Sequence, residues 1–265
     1  MQPILAFDIE SIPDVAGLRT LYSLGTDISD SAVAEIAFQR QRMKNGSDFL
    51  PHYLQRVVAI SCVLRWGNDR IHAATLGQAD DNEATQIRTF FELLEKYTPQ
   101  LVSWNGGGFD LPALHYRALI HGISAPRYWD MGDGNYADSR DFKWNNYISR
   151  YHMRHLDLMD VLAMYQPRAS APLDDIAKLS GFPGKLGMDG SKVWEGYQQG
   201  KIGEIRDYCE TDAANTYLVF LRFQLMRGTL SAAEYAIETT RLHSYLTELK
   251  RPHWDDFLAA WRTTS

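Results

Sequence analysis

The chain has 265 residues, of which 45% are hydrophobic and 23% are charged, an ordinary globular composition with enough length for a full core. Its formal net charge of -6 argues against a protein that coats duplex DNA through a broad basic face. A nuclease is not excluded, because acidic ligands of divalent cations themselves contribute negative charge.

Several sequence features favour a cytoplasmic protein that does not contact a membrane. The chain begins without a basic leader followed by a long apolar run, and no stretch approaches 18 uninterrupted apolar residues. Cys62 and Cys209 are the only cysteines and lie far apart, so the sequence implies neither a disulfide framework nor a zinc site.

The first third of the chain predicts strands and one helical insertion. Residues 3–10 form a strand that is apolar in its first half. Residues 13–55 predict an inserted helical segment, with Ser31 as the cap of a helix that ends at Asn45-Gly46. The near-continuous apolar run at 56–66 is typical of a strand buried on both faces, and residues 70–76 return as the second strand of a hairpin.

The next elements complete the pattern of an α/β fold. Residues 80–97 predict a helix, with Asp80 and Glu83 spaced as a capping pair and an apolar stripe along one face. Residues 101–104 predict a short buried strand, and a glycine-rich turn leads from it into a helix at 109–122. The order of these elements indicates a mixed central β-sheet with helices packed on it.

Residues 123–154 interrupt the regular pattern and leave two interpretations open. Basic side chains track phosphates and aromatic faces stack on bases, so the segment suits a groove for a single strand. It equally suits a packed surface loop whose aromatic side chains cover the edge of the core. The side chains in question are Arg127, Arg140, Lys143, Arg150 and Arg154, with Tyr128, Trp129, Tyr136, Phe142, Trp144, Tyr147 and Tyr151.

The last third of the chain is predicted to be helical. The predicted helices are 155–165, 172–180, about 202–226, one capped by Ser231 and Glu234, and a short amphipathic piece after Pro252.

Two carboxylates follow the first apolar strand. Side chains alternate along a strand, so Asp8 and Glu10 point the same way, roughly 6 to 7 Å apart. Two anions this close repel each other unless one is protonated or a cation lies between them. By themselves they are better explained by a turn at Asp8 and a surface salt bridge at Glu10, because this tripeptide pattern is common.

Further acids occur at two later positions. Asp110 follows the turn Asn105-Gly106-Gly107-Gly108-Phe109, whose glycines permit unusual backbone angles and the close approach of a ligand. A helix cap is the ordinary explanation of Asp110. Tyr208 and Asp212 are four residues apart on the long predicted helix and so share one face, a spacing that carries little information alone.

Together these residues resemble the DEDD signature of 3′-5′ exonucleases, in the branch with tyrosine in the last motif. The segments PILAFDIESIPD, LVSWNGGGFDLPAL and IRDYCETDAANTY resemble the stand-alone group related to the exonuclease domain of family B DNA polymerases, within the ribonuclease H-like superfamily. The segment GFPGKLGMDGSKVWEGY does so as well. The resemblance extends from Ile4 to about Phe223.

The resemblance implies a site and its cofactors. Asp8, Glu10, Asp110 and Asp212 would be ligands of two divalent cations, Mg²⁺ or Mn²⁺, and Tyr208 would orient the attacking water. Hard oxygen ligands suit Mg²⁺, and tyrosine, with a reference pKa near 10, would be a neutral hydrogen-bonding phenol at neutral pH.

The expected substrate is the 3′ end of a single-stranded nucleic acid, DNA more than RNA. The candidate substrate-binding residues are Asn105, Gly106, Phe109, Trp144 and Lys185. Lys185 and Lys192 could instead be solvated loop lysines. Asp157 is expected either to support the site from outside the ligand set or to cap its helix.

The sequence predicts a single domain over 1–265, with a ribonuclease H-like core at about 3–226 and a helical extension at 229–262. The alternatives are an inactive nucleic-acid-binding module, an exoribonuclease that trims RNA, or a nuclease of the same superfamily with another cleavage mode. An inactive module would be expected to lack at least one acid, and all of them are present.

Overall fold

The computed structural model describes residues 2–262, which form a central sheet covered by helices. The strands are β1 (Ile4–Pro13), β2 (Gln55–Trp66), β3 (Arg70–Thr75), β4 (Gln100–Ser103) and β5 (His155–Asp157). The helices are α1 (Val15–Tyr22), α2 (Asp30–Asn45), α3 (Glu83–Tyr97), α4 (Asp110–Ile120), α5 (Ser139–Phe142), α6 (Leu158–Leu162), α7 (Leu173–Leu179), α8 (Val193–Gln198), α9 (Ile202–Met226), α10 (Ala232–Leu249) and α11 (Pro252–Ala260).

The strand order of the sheet is β3-β2-β1-β4-β5. β2 runs antiparallel to both β1 and β3, whereas β4 and β5 run parallel to β1. This mixed sheet flanked by helices is the ribonuclease H-like architecture that the sequence predicted. A bulge interrupts the pairing of β1 with β2 between Glu10 and Ser11, at the end of the carboxylate segment.

The two faces of β1 enter two different cores. Leu5, Phe7 and Ile9 pack on the side of α3 and α4, with part of the 123–154 segment. Ile4 and Ala6 face α9, whose apolar residues join α10 and α11 in the other large core. Alternation therefore continues the α9 side of the strand into the acidic positions that follow Ala6.

Several predicted helix starts need correction. Ser29, and not Ser31, caps α2, where its side chain accepts a hydrogen bond from the N–H of Ala32. Asn82, and not Asp80, caps α3, while Glu83 is buried and pairs with Arg117. The capping box of Ser231 and Glu234 is present as predicted, at the start of α10.

The helix predicted over 155–165 is wrong at its start. His155, Leu156 and Asp157 form β5, the edge strand beside β4, and the helix begins only at Leu158. A strand of three residues is too short for its alternation to be distinguished from a helix pattern.

The sequence predicts no membrane-spanning segment, and the lengths and polarity of the helices bear on this prediction. Across residues 2–262, every helix is either too short or too polar to pass through a bilayer.

Candidate metal centre and active site

Asp8, Glu10 and Asp212 meet between β1 and α9. One carboxylate oxygen of each lies within 4.8 Å of the other two. Asp8 and Glu10 reach this point because they occupy successive same-face positions at the end of a buried strand. Asp212 reaches it from the middle of α9, where it is 4% exposed. The strand and the helix thus bring residues about 200 positions apart into one acidic cluster.

Asp110 adjoins this cluster at the start of α4. Its Oδ1 accepts a hydrogen bond from the N–H of Ile9, the residue between the two strand acids, at 3.2 Å. It is 4% exposed, so its position is fixed by packing and by this bond to β1. The helix-cap explanation is wrong, because Phe109 is the cap residue of α4, no side chain caps the helix, and the Asp110 carboxylate is directed at β1.

The glycine turn holds Asp110 in place. Asn105 has a positive φ of 65°, and a Cβ at Gly106 would lie 2.3 Å from Ser103 Oγ, which leaves room only for glycine. Asp157 accepts hydrogen bonds from the N–H groups of Asn105 at 3.0 Å and Gly107 at 2.8 Å. It also accepts one from the N–H of Asp160 and so caps α6. Asp157 is therefore the helix cap that was one of its two expected roles, and it also holds the turn that leads to Asp110.

Tyr208 lies one helical turn before Asp212 and shares its buried face of α9. Lys185 Nζ donates a hydrogen bond to Tyr208 Oη at 2.6 Å and lies 3.7 Å from Asp212 Oδ2. Oδ1 of Asp212 is buried and lacks a hydrogen-bond partner among the described residues. Such an orphaned anionic oxygen is costly unless something outside the polypeptide satisfies it.

The loop that carries Lys185 is anchored on both sides. Asn215, one turn beyond Asp212 on α9, bonds both the N–H and the carbonyl of Gly184, at 3.1 and 2.9 Å. Asp174 accepts a hydrogen bond from the N–H of Lys185 at 2.7 Å. The lysine is therefore held by its backbone and is not a freely solvated loop residue.

The pKa values of the acids at the site are raised, because the nearby protein cations do not balance the buried negative charges. Burial, followed by the charges of the neighbouring acids, raises the pKa of Asp8 and of Glu10 well above the usual range. Burial raises the pKa of Asp110 to about 7 and that of Asp212 to about 6, the latter partly opposed by Lys185. Burial and the charge of Asp212 raise the pKa of Tyr208 far above 10, so its phenol is neutral.

These residues fit a divalent cation. The donors are hard carboxylate oxygens from separate elements, the set that Mg²⁺ and Mn²⁺ prefer. The unpartnered Oδ1 of Asp212 is a free ligand position. Among the described residues, the side-chain cation within salt-bridge distance of the cluster is the ammonium group of Lys185, 3.7 Å from Asp212 Oδ2.

The predicted substrate-binding residues divide into two groups. Asn105, Gly106, Phe109 and Lys185 adjoin the acids, three of them through the glycine turn. Trp144 is 76% exposed, its ring centre lies 5.4 Å from Lys143 Nζ, and its backbone N–H donates a hydrogen bond to the carbonyl of Asp141.

The 123–154 segment follows the packed-loop interpretation for three of its seven aromatic residues, whereas Trp129, Trp144 and Tyr151 are exposed. Tyr128, Phe142 and Tyr147 belong to the core on the α3 side of the sheet. The guanidinium groups of Arg127 and Arg154 lie 4.1 and 3.9 Å from the centre of the Phe142 ring.

Sequence reasoning missed two side chains beside the glycine turn. His52 Nε2 lies 2.9 Å from the carbonyl oxygen of Gly108, and the Phe49 ring centre lies 5.4 Å from that of Phe109. Both come from the helical insertion, about 60 residues before the turn in the chain. No motif spans that separation, so no local signal could have identified them.

A second cluster of potential ligands lies on the outer side of α9. Atoms of Asp207, Glu210 and His253 also lie within 4.8 Å of one another. Here Arg251 pairs with Glu210 at 2.9 Å and with Asp207 at 2.6 Å. Thr75 adds hydrogen bonds from its N–H and hydroxyl to Glu210, so the cluster is an ion-pair network that joins α11 to α9.

Comparison with known proteins places the chain in a family. Residues 47–261 match the model of a family described as a predicted 3′-5′ exonuclease related to the exonuclease domain of PolB. The match covers most of the chain, which therefore belongs to this family and confirms the resemblance noted from its motifs. Asp110, Tyr208 and Asp212 lie within the matched residues, whereas Asp8 and Glu10 precede them.

Comparisons with solved structures and with curated proteins add less about this chain. The family B DNA polymerase from the hyperthermophilic archaeon Pyrobaculum calidifontis is similar in structure, with 18% sequence identity and a TM-score of 0.49 over 85% of this chain. The chain spans 25% of the length of that polymerase, and at this level of similarity the match assigns no residue. No curated protein matches the chain significantly.

Proposed function

We propose that the protein is a metal-dependent 3′-5′ exonuclease that hydrolyses phosphodiester bonds from the 3′ end of a single-stranded nucleic acid. Asp8, Glu10, Asp110 and Asp212 would hold two divalent cations, Mg²⁺ or Mn²⁺. Membership of the exonuclease family supports the reaction class.

The observation that carries the proposal is the incomplete neutralisation of the cluster. Three buried or half-buried carboxylates from β1 and α9 converge, that of Asp110 on α4 adjoins them through β1, and the pKa of each of the four is raised. The second cluster on α9 shows that this fold can neutralise buried acids with arginine where the acids serve stability. The candidate site instead keeps an orphaned oxygen on Asp212, which is ready for a ligand.

Bound cations would supply Lewis-acid activation of a water and stabilisation of the leaving 3′-oxygen. Tyr208 would position that water. Because Lys185 donates to its oxygen, the phenolic hydrogen is left for an acceptor on the other side, where the Asp212 carboxylate is its neighbour. The raised pKa keeps the phenol protonated, so Tyr208 orients and does not act as an ordinary base.

The glycine turn would form the floor under the terminal nucleotide. Asn105, Gly106 and Phe109 belong to the same turn as Asp110, so a nucleotide whose phosphate lies at the acids would meet them. Lys185 would contact a phosphate oxygen, since its backbone is fixed and its side chain is 35% exposed. Trp144 stays a prediction, as a contact further along the strand.

The remaining parts of the proposal concern context. We infer one domain over the whole chain, because α10 and α11 share a core with β1 and α9. DNA is the preferred substrate in this proposal, and the cytoplasm is the proposed location.

The test is digestion of a 5′-labelled single strand by the purified protein. With Mg²⁺ or Mn²⁺ we expect a ladder that shortens from the 3′ end, and EDTA should abolish it. Matched DNA and RNA oligonucleotides in the same assay measure the preference for the sugar. Cleavage that starts at internal positions, or activity that persists in EDTA, would refute the proposal.

A further inference from the structure

The helical insertion between β1 and β2 places exposed aromatic side chains beside α4. The relevant residues lie in the segment after α2, where residues 49–53 run into a 3-10 turn and then into β2. Phe49 is 55% exposed and Tyr53 is 45% exposed, unusual values for large apolar rings that already have aromatic neighbours.

Each of these rings pairs with an aromatic residue of the glycine turn or of α4. Phe49 meets Phe109 edge to face, with ring centres 5.4 Å apart. Tyr53 meets Tyr116 in the same geometry at 6.0 Å, and Tyr116 is itself 46% exposed. The two pairs therefore form a strip of partly open aromatic faces, which we call the aromatic strip (Phe49, Phe109, Tyr53 and Tyr116).

The strip begins at the candidate site and leads away from it. Phe109 directly precedes Asp110, and Tyr116 follows seven residues later, on the same face of the helix and about 10 Å further along the axis. One end of the strip is thus continuous with the residues proposed to hold the cations, and the other lies two helical turns away.

His52 fixes the first pair to the turn. Its Nε2 donates a hydrogen bond to the carbonyl of Gly108, the residue before Phe109, at 2.9 Å. Its ring centre lies 5.7 Å from that of Phe109. The insertion is therefore anchored on the backbone of the turn, and His52 is a positioning residue for Phe49 and Phe109.

We propose that the aromatic strip is the track on which the bases of the single strand stack as its 3′ end enters the site; this rests on the proposed function. Every base presents a π-face, so stacking on aromatic side chains binds a strand without regard to its sequence. The base nearest the scissile phosphate lies against Phe49 and Phe109, and bases further from the end reach Tyr53 and Tyr116.

The proposal predicts how substitutions depend on substrate length. Loss of one stacking partner should weaken binding of an oligonucleotide by about 5- to 150-fold. Phe49→Ala should raise KM for both a dinucleotide and a dodecanucleotide, whereas Tyr116→Ala should raise it for the dodecanucleotide alone. Phe49→Trp should retain binding, because the indole also stacks, and kcat at saturation should stay near that of the wild type.

The experiment combines hydrolysis with binding measured in EDTA by the fluorescence anisotropy of a labelled dodecanucleotide. Leu179→Ala, which removes an apolar side chain that is 84% exposed on α7, is the control for a general surface effect. The p-nitrophenyl ester of thymidine 5′-monophosphate is the control substrate, because it is too short to reach beyond the site. The slope of affinity against salt should not change in Phe49→Ala, since stacking releases no counterions.

The outcomes separate the two proposals. If the wild-type protein hydrolyses the strand, and Phe49→Ala and Tyr116→Ala both have the KM of the wild type, the proposed role of the aromatic strip is overturned and the exonuclease proposal stays intact. A wild-type protein that binds the strand but never cleaves it, with binding lost in both variants, would overturn the exonuclease and support the strip. Failure of the wild-type protein to bind the strand would overturn the strip and point to a protein partner for these rings.

Discussion

The long helix α9 carries two clusters of ligating side chains on different sides, and they differ in how their charge is balanced. Asp212 joins Asp8 and Glu10 on the inner side, while Asp207 and Glu210 join His253 on the outer side. By the spacing of their ligand atoms alone, the two clusters are equivalent.

The side chains that surround the two clusters distinguish one from the other. At the outer cluster, Arg251, Thr75 and His253 all bind Glu210, and the hydrogen bond from His253 and the charge of Arg251 hold its pKa below the usual range despite burial. At the inner cluster, burial and like charges raise the pKa of Asp8 and Glu10. Ligand spacing is therefore a weak indicator of a metal site, and the shortage of protein cations is a stronger one.

The largest expected effect is loss of hydrolysis when the inner cluster loses an acid. Asp8→Asn or Asp212→Asn removes one of the proposed anionic ligands with little change in shape, so activity should fall by more than about 100-fold, beyond what loss of a hydrogen-bond partner of a ligand costs. Steady-state hydrolysis of a labelled single strand, with Mn²⁺ binding measured by calorimetry, checks both effects.

The matched control is Asp207→Asn on the outer cluster, which should leave hydrolysis within about twofold of the wild type, as a surface change does. Equal losses from both substitutions would erase the distinction between the clusters. Wild-type rates in Asp8→Asn would refute the ligand assignment.

A smaller effect is expected at Tyr208. Tyr208→Phe removes the hydroxyl that accepts from Lys185 and that we propose positions the water, so kcat should fall by about 10- to 100-fold while the ring is retained. Metal affinity should be nearly unchanged, because the phenol is not in the proposed ligand set. A parallel loss of metal binding would show that Tyr208 holds the cluster together and does not orient water.

The outer cluster should respond in stability and not in activity. Glu210→Gln weakens the buried contacts to Arg251 and Thr75, and should lower the free energy of unfolding by about 2 kcal/mol. Asp212→Asn in EDTA should have the opposite sign, because it relieves repulsion among buried anions. Urea denaturation of both variants measures the contrast, and destabilisation of similar size in both would contradict it.

The sequence predicted those parts of the site that each element carries on its own face. Strand alternation placed Asp8 and Glu10 together, and helix periodicity paired Tyr208 with Asp212. It also predicted four of the five strands, because their apolar runs are long enough to show a pattern.

The contacts that join distant elements were not predictable in the same way. The hydrogen bond of His52 to the glycine turn, and the approach of Lys185 to Tyr208, depend on how a loop is anchored in three dimensions. Asn215 and Asp174, which anchor the loop that carries Lys185, resemble ordinary helix residues in the sequence. Burial of Glu83, which was predicted as a capping residue, follows from Arg117 on another helix.

The smallest expected effect is a pH dependence that again has opposite signs in the two clusters. The pKa of Asp212 is raised to about 6 and that of Asp110 to about 7, above the values near 3.9 of the unfolded chain. Between about pH 4 and pH 7 the metal-free folded protein thus binds more protons than the unfolded chain, so its stability falls as the pH rises. The lowered pKa of Glu210 acts in the other direction, with stability that is lost as the pH falls below the pKa of Glu210 in the unfolded chain.

Because cations bind the ionised carboxylates, stabilisation by Mn²⁺ should grow from pH 5 to pH 8 by a few degrees in Tm. Thermal melts in EDTA and in Mn²⁺ test this for the wild type and for Asp110→Asn, in which the dependence should shrink. An Mn²⁺ effect that does not vary with pH would mean that these carboxylates are not the groups that bind the ion.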